Sequence, residues 1–125
     1  MIQIFHNSRC GKSRNCLAFI ENSEKEFEII KYLENPPTFK ELTLILKKLN
    51  FKPIELVRQK EPIWIEKYKN KTLSEVEIIK AMIENPILIE RPIVIDGDKA
   101  YIARDSETIS KLNLELFQNS FNKPL

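Results

Sequence analysis

The stretch HNSRCGKSRN, residues 6–15, sets one cysteine among basic side chains where an apolar run, IQIF, gives way to a polar segment. A cysteine kept for packing is ordinarily buried among apolar groups. Cys10 instead has Arg9, Gly11, Lys12 and Arg14 as neighbours. In a loop between a first strand and a first helix, its sulfur faces the free N–H groups of the first helical turn. The helix dipole adds partial positive charge there. Both favour thiolate over thiol, as do Arg9, Lys12 and Arg14 if they lean inward. A thiolate is the reactive nucleophile, and a loop of amides and basic groups also suits a tetrahedral oxyanion. The chemistry indicated is attack on an anionic or disulfide substrate. The alternative is an inert, half-exposed cysteine in a basic loop.

The other reactive side chains nearby read differently. Cys16 shares an inward helical stripe with Leu17 and Ile20, which suits core packing. Six residues of helix separate it from Cys10 by a rise of ~9 Å, and the rotation points the two side chains to different faces. A C-x-x-C redox pair needs its second cysteine at position 13, where this chain has Ser13. That serine can donate a hydrogen bond to the Cys10 thiolate or cap the helix. His6, the sole histidine, can approach the loop from a strand end and tune the cysteine, or can be a hydrogen-bonded strand-end histidine. One histidine and two ill-spaced cysteines make no metal-site pattern.

The elements that must position Cys10 follow from periodicity. IQIFH, 2–6, reads as a buried strand, residues 13–23 as a helix, and FEIIKY, 27–32, as a second strand, which together make a parallel βαβ unit. After the loop ENPPT, Thr38 with Glu41 forms a capping box. It opens a helix to about Asn50 with Phe39, Leu42, Ile45, Leu46 and Leu49 on its stripe. Pro53 opens a helical piece ending near Arg58, and Pro62 another through Tyr68. Ser74 precedes a helix in which Val76, Ile79 and Ile83 share a face, ended by Asn85-Pro86. PIVI and AYIA flank DGDK as a β-hairpin with Asp-Gly at its centre. Asp105 caps a final helix with Ile109, Leu112 and Leu116 inward, and the last residues, NSFNKPL, read as frayed. A βαβ and a ββα unit sharing one four-stranded mixed sheet is the thioredoxin-like α/β arrangement. The halves are about 1–33 and 86–118, with a helical insertion at about 38–84.

Composition sets bounds on function. The chain has 125 residues, 42% hydrophobic and 30% charged, with 20 basic and 18 acidic residues and a net charge of +2. That fits a single domain spanning 1–125. The charge balance gives no sign of direct nucleic-acid or membrane binding. No apolar run approaches the ~20 residues of a membrane span, and MIQIFHNSRC lacks the form of a signal peptide. A cytoplasmic location with free thiols is expected.

Five stretches taken in order, HNSRCGKSRN, YLENPP, ELVRQKEP, NPILIERPIVI and GDKAYIARDSE, resemble the glutaredoxin-coupled arsenate reductases. The resemblance spans about residues 2–110 and implies several roles. Cys10 corresponds to the catalytic cysteine, and Arg58, Arg91 and Arg104 to three oxyanion-binding arginines. Pro92 corresponds to a proline beside the site, expected to be cis, and His6 to a histidine near the nucleophile; Ser13 and Arg14 are taken as supporting residues. The family's thiolate attacks arsenate, glutathione attacks the adduct as arsenic is reduced to the trivalent form, glutaredoxin removes the glutathionyl group, and arsenite leaves. The resemblance implies glutathione as co-substrate, glutaredoxin as partner, no bound cofactor or metal, and a monomer. Ser8 departs from the family, many of whose members have proline there. The Spx-type transcription regulators, which share the fold and bind RNA polymerase, are the nearest alternative. Their Cys-x-x-Cys switch is missing here. A glutathione-dependent thiol reductase with another substrate is a third possibility; it needs the cysteine but not all three arginines.

Overall fold

The computed structural model describes residues 1–104 and 108. In order along the chain come β1 (Ile2–Phe5), α1 (Gly11–Asn22), β2 (Phe27–Ile30) and α2 (Phe39–Leu49). A 3₁₀ turn (Pro53–Leu56), α3 (Pro62–Lys67), α4 (Glu75–Glu84) and a second 3₁₀ turn (Pro86–Leu88) follow. β3 (Ile93–Asp96) and β4 (Lys99–Ile102) complete the set. The helix expected after Asp105, with Ile109, Leu112 and Leu116, lies outside the described residues, as does the segment NSFNKPL.

The strands form one sheet of order β2-β1-β3-β4. β1 and β2 are parallel, while β3 runs antiparallel to both β1 and β4. The period-2 alternation of the strands divides the core between the two faces. Ile2, Ile4 and Val94 pack with Cys16, Ile20 and Ala103 on the α1 side. Phe5, Ile93 and Ile95 pack with Leu42, Leu46, Ile79, Met82 and Trp64 on the other. α1 is thus clamped to one face by its own apolar stripe, which fixes where its N-terminus, and with it Cys10, must sit.

Local chemistry explains most element ends. The Thr38 hydroxyl accepts from the Glu41 amide at 3.1 Å while the Glu41 carboxylate accepts from the Thr38 amide at 3.2 Å. Ser74 and Glu77 repeat this reciprocal cap at α4. In the hairpin, Asp96 pairs with Lys99, so the two-residue turn is Gly97-Asp98, one residue later than the pattern suggests. Gly97 has φ +61°, a conformation glycine adopts without steric cost.

Four details differ from the sequence pattern. α1 begins at Gly11, two residues earlier than expected, so Cys10 itself becomes the N-cap. β2 ends at Ile30 rather than at Tyr32. The piece after Pro53 is a single 3₁₀ turn, and Val57 is already extended. On α4 the buried residues are Ile78, Ile79, Ala81 and Met82. Val76 is 49% exposed; two residues turn the helix by about 200°, which carries it away from Ile78.

Candidate active site

The loop joining β1 to α1 is held almost entirely by its own hydrogen bonds. The His6 amide donates to the Ile30 carbonyl at 2.9 Å, tying the loop's start to β2. The Arg9 amide donates to the Asn7 side chain at 3.0 Å, and the Cys10 amide to the Asn7 carbonyl at 3.0 Å. Arg14, in the first turn of α1, donates to the Ser8 carbonyl at 2.9 Å. Ser13 is fully buried beneath the loop. Its hydroxyl accepts from the Asn7 amide at 3.0 Å and lies 2.8 Å from Nδ1 of His6. Burial chiefly, with the nearby charges of Arg14 and Lys31, lowers the His6 pKa and favours the neutral ring. In a neutral ring the tautomer decides whether Nδ1 accepts from the serine hydroxyl or donates to it; either way Ser13 links the Asn7 amide to His6.

Ser13 therefore neither caps α1 nor gives its hydroxyl to Cys10, and His6 reaches the loop through Ser13. Ser13→Ala should leave the Asn7 amide and His6 Nδ1 unpaired and cost about 1–3 kcal/mol, read by urea unfolding. The Cys10 titration should move little, because it is the Ser13 amide that faces the sulfur. A large rise in the thiol pKa would place the hydroxyl there instead.

Cys10, partly exposed and free, has the extended backbone of an N-cap, and its carbonyl receives the first helical hydrogen bond from Arg14 at 3.0 Å. Burial pushes its thiol up, but four influences outweigh that and hold it below the ordinary thiol value. These are the Ser13 amide, the charge of Arg91, the Lys12 amide and a hydrogen bond from the Arg91 side chain. The amide contacts are looser than a standard side-chain cap, as expected for a large sulfur atom, yet they act in the N2 and N3 positions where caps bind. The flanking bases contribute differently from expectation. Arg9, Lys12 and Arg14 are exposed, and Arg14 is engaged with the loop's own carbonyl. The cation at the sulfur comes from the far end of the chain, Arg91.

Cys16 is fully buried on the α1 stripe, and desolvation pushes its thiol up to about 12. It is inert packing at neutral pH.

Two pairings far from Cys10 in sequence assemble the arginines. The Arg58 amide donates to the Leu88 carbonyl at 2.7 Å and the Glu90 amide to the Leu56 carbonyl at 2.9 Å, around a Val57–Ile89 antiparallel bridge. This two-rung ladder sets Arg58 beside Glu90 and Arg91. The Arg91–Pro92 peptide is cis, and the Ala103 amide donates to the Pro92 carbonyl at 3.1 Å, which sets Arg104 alongside. Arg58, Arg91 and Arg104 then line one open cleft of about 440 Å³ with Val57, Gln59, Lys60, Glu61 and Glu90. Cys10 does not line it; Arg91 links the two, lowering the thiol's pKa on one side and facing the cleft on the other.

Two acidic residues that sequence reasoning missed sit among these arginines. Glu61 accepts from Arg58 Nη2 at 2.7 Å. Glu90 accepts from Arg104 Nη1 at 2.9 and 3.2 Å, and its Oε1 lies 3.5 Å from Arg91 Nη1 and 4.0 Å from Arg58 Nε. In the string ILIERPIV nothing local marks Glu90; its surroundings come from the long-range ladder. Tyr32 was also missed as a site residue. It is fully buried and stacks on Phe5 with ring centroids 6.3 Å apart. Burial pushes its phenol up against the pull of Arg91 and Arg58. Asn7 is near the hydroxyl but makes no hydrogen bond of acceptable geometry with it. The Tyr32 hydroxyl and Arg91 Nε are buried donors with no partner among the described residues. Such donors are costly unless a ligand or water takes them.

Among the described residues, no three His, Cys, Asp or Glu side chains are grouped to hold a metal, and no helix is long and apolar enough to cross a membrane.

A sheet of this order, with a free cysteine capping the helix after its first strand, defines a thioredoxin-like α/β protein, here with an arginine-lined cleft beside the thiol. A model of the ArsC family matches residues 5–112, and the chain belongs to that family. The uncharacterized protein YfgD of Escherichia coli K12 is 40% identical over 113 residues, 89% of this chain and 95% of that one. The arsenate reductase of Yersinia enterocolitica is 38% identical over 123 residues, 98% of this chain and 87% of that one. Among solved structures, the arsenate reductase from Vibrio cholerae is similar with a TM-score of 0.79 at 35% identity, covering 92% of this chain and 96% of that one.

Proposed function

We propose that this protein is an arsenate reductase with Cys10 as its single nucleophile, using glutathione and a glutaredoxin as reductants. One observation carries this most: Arg58, Arg91 and Arg104 line one cleft, and the Arg91 guanidinium also holds the Cys10 thiol below its ordinary value. Guanidinium groups bind tetrahedral oxyanions through charge-assisted, often bidentate, hydrogen bonds. Arg91 Nε, a donor without a partner among the described residues, adds a further position for an oxygen atom. Relatives called arsenate reductases support the choice of oxyanion.

The Cys10 thiolate attacks pentavalent arsenic, a sulfur–arsenic bond forms, and one oxygen leaves as water after taking up protons. Glutathione's thiol then displaces a second oxygen, which leaves as water, so that its sulfur is bonded to the same arsenic. A glutaredoxin thiol then attacks the glutathione sulfur. The glutathione sulfur–arsenic bond breaks and its electron pair stays on arsenic, which becomes trivalent. Hydrolysis of the Cys10–arsenic bond frees arsenite and the thiol. In sum, arsenate and two thiols give arsenite, a mixed disulfide and water. His6, Ser13 and Arg14 hold the loop in this scheme, and Pro92 sets Arg91 at its edge. No bound cofactor takes part, and the protein works as a cytoplasmic monomer, one domain over 1–125.

Arsenate-dependent oxidation of glutathione by the purified protein with a glutaredoxin tests the proposal. Saturable turnover is expected. A folded protein whose Cys10 alkylates readily, yet which shows no arsenate-dependent oxidation, rejects it.

A further inference from the structure

The cleft already contains an anion, and it belongs to the chain. Oε1 of Glu90 is the one point that all three arginines approach: 2.9 Å from Arg104, 3.5 Å from Arg91 and 4.0 Å from Arg58. Glu61 takes a different nitrogen of Arg58 and stands apart from that point. The Glu90 backbone is pinned by its amide bond to the Leu56 carbonyl. Its side chain is less constrained, at 24% exposed, and Arg104 is 40% exposed. The carboxylate can therefore turn toward water by side-chain rotation while the strand ladder stays in place.

We propose that Glu90 is a resident competitor in the arginine site, whose carboxylate sets the charge of oxyanion the site accepts by contesting the same guanidinium groups. An incoming oxyanion near Oε1 meets a like charge at short range, where repulsion between partly buried charges exceeds that in bulk water. It binds only as the Glu90 carboxylate swings out. Repulsion grows with the guest's charge, so a dianion is penalised more than a monoanion of the same shape. Without Glu90 the cleft would hold four cationic side chains, Arg58, Lys60, Arg91 and Arg104, against Glu61 alone. With it, the arginines stay oriented while empty and release weakly charged guests readily.

This deepens the oxyanion assignment and rests on it for its meaning in turnover, but binding alone tests it. Titration calorimetry at low salt should compare sulfate, a tetrahedral dianion, with perchlorate, a tetrahedral monoanion. Glu90→Gln, which keeps shape and an accepting oxygen, should tighten sulfate about tenfold and perchlorate clearly less. Glu61→Gln, which changes net charge equally but leaves the shared point alone, should give a smaller gain. Glu90→Ala serves with the same expectation if Glu90→Gln does not fold. Weaker or unchanged sulfate binding would make Glu90 a structural brace and overturn the proposal. Equal gains for both anions, or for Glu61→Gln, would reduce it to a general field effect and also overturn it. Arsenate turnover with a failed Glu90 result leaves the reductase assignment standing, and the converse leaves Glu90's role standing.

Discussion

Cys10→Ser should abolish arsenate-dependent glutathione oxidation, down to the rate without protein, and leave the fold intact. A serine hydroxyl stays protonated near neutrality, where the thiol of Cys10 is already held below its ordinary value by the Ser13 and Lys12 amides and by Arg91. An oxygen in its place cannot form the sulfur–arsenic bond on which the later steps depend. Cys16 cannot substitute. It is fully buried, its thiol is pushed up to about 12, and it faces the sheet core. The fold should hold because position 10 is the N-cap of α1 and serine is among the best N-caps. The smaller oxygen can sit closer to the Lys12 and Ser13 amides, so thermal stability should equal or exceed that of the parent. The mutant thus separates chemistry from folding in one measurement. Substantial residual turnover would remove Cys10 as the nucleophile, and a collapsed fold would show that its sulfur is structural.

What the sequence carried about this site follows from which forces are local. The apolar runs IQIF and PIVI and the Thr38–Glu41 cap depend on neighbours in sequence, and those elements stand within a residue of where the pattern put them. The start of α1 is also local but was displaced. Gly11 is a poor helix former and a weak signal, yet the helix runs back to it, with Cys10 as its N-cap. The basic residues around Cys10 suggested a cluster at the sulfur. They lie on a solvated surface, where charge is cheaper to leave in water, and the effective cation arrives from position 91. Composition and spacing carried no sign of the convergence of Arg58, Arg91 and Arg104, which the family resemblance supplied. Glu90 escaped both, because its place depends on the 56–58 and 88–90 segments pairing across the intervening residues 59–87.

Arg91→Ala should slow Cys10 alkylation by iodoacetamide several-fold at neutral pH and weaken sulfate or arsenate binding about 10–100-fold, the loss expected for charge-assisted hydrogen bonds of about 1.5–3 kcal/mol. The two effects share one cause. Arg91 lowers the thiol pKa both by its charge and by a hydrogen bond, so its removal favours the protonated form. The alkylation rate rises with pH as thiolate forms, and the midpoint of that rise should move to higher pH in the mutant. Iodoacetamide is neutral, so a changed rate reports the thiol and not attraction of the reagent. Cys16 stays silent across the range because its own thiol is pushed up to about 12. Arg58→Ala is the informative contrast. Arg58 pairs with Glu61 and lies near Glu90, so its loss should weaken oxyanion binding while leaving the thiol midpoint nearly in place. If both mutants shift the midpoint equally, the cleft acts on the sulfur as one diffuse field. If neither shifts it, the helix amides alone activate Cys10, and Arg91 belongs only to the oxyanion. A shift confined to Arg91→Ala, with binding lost in both, makes Arg91 the group that couples the nucleophile to its substrate.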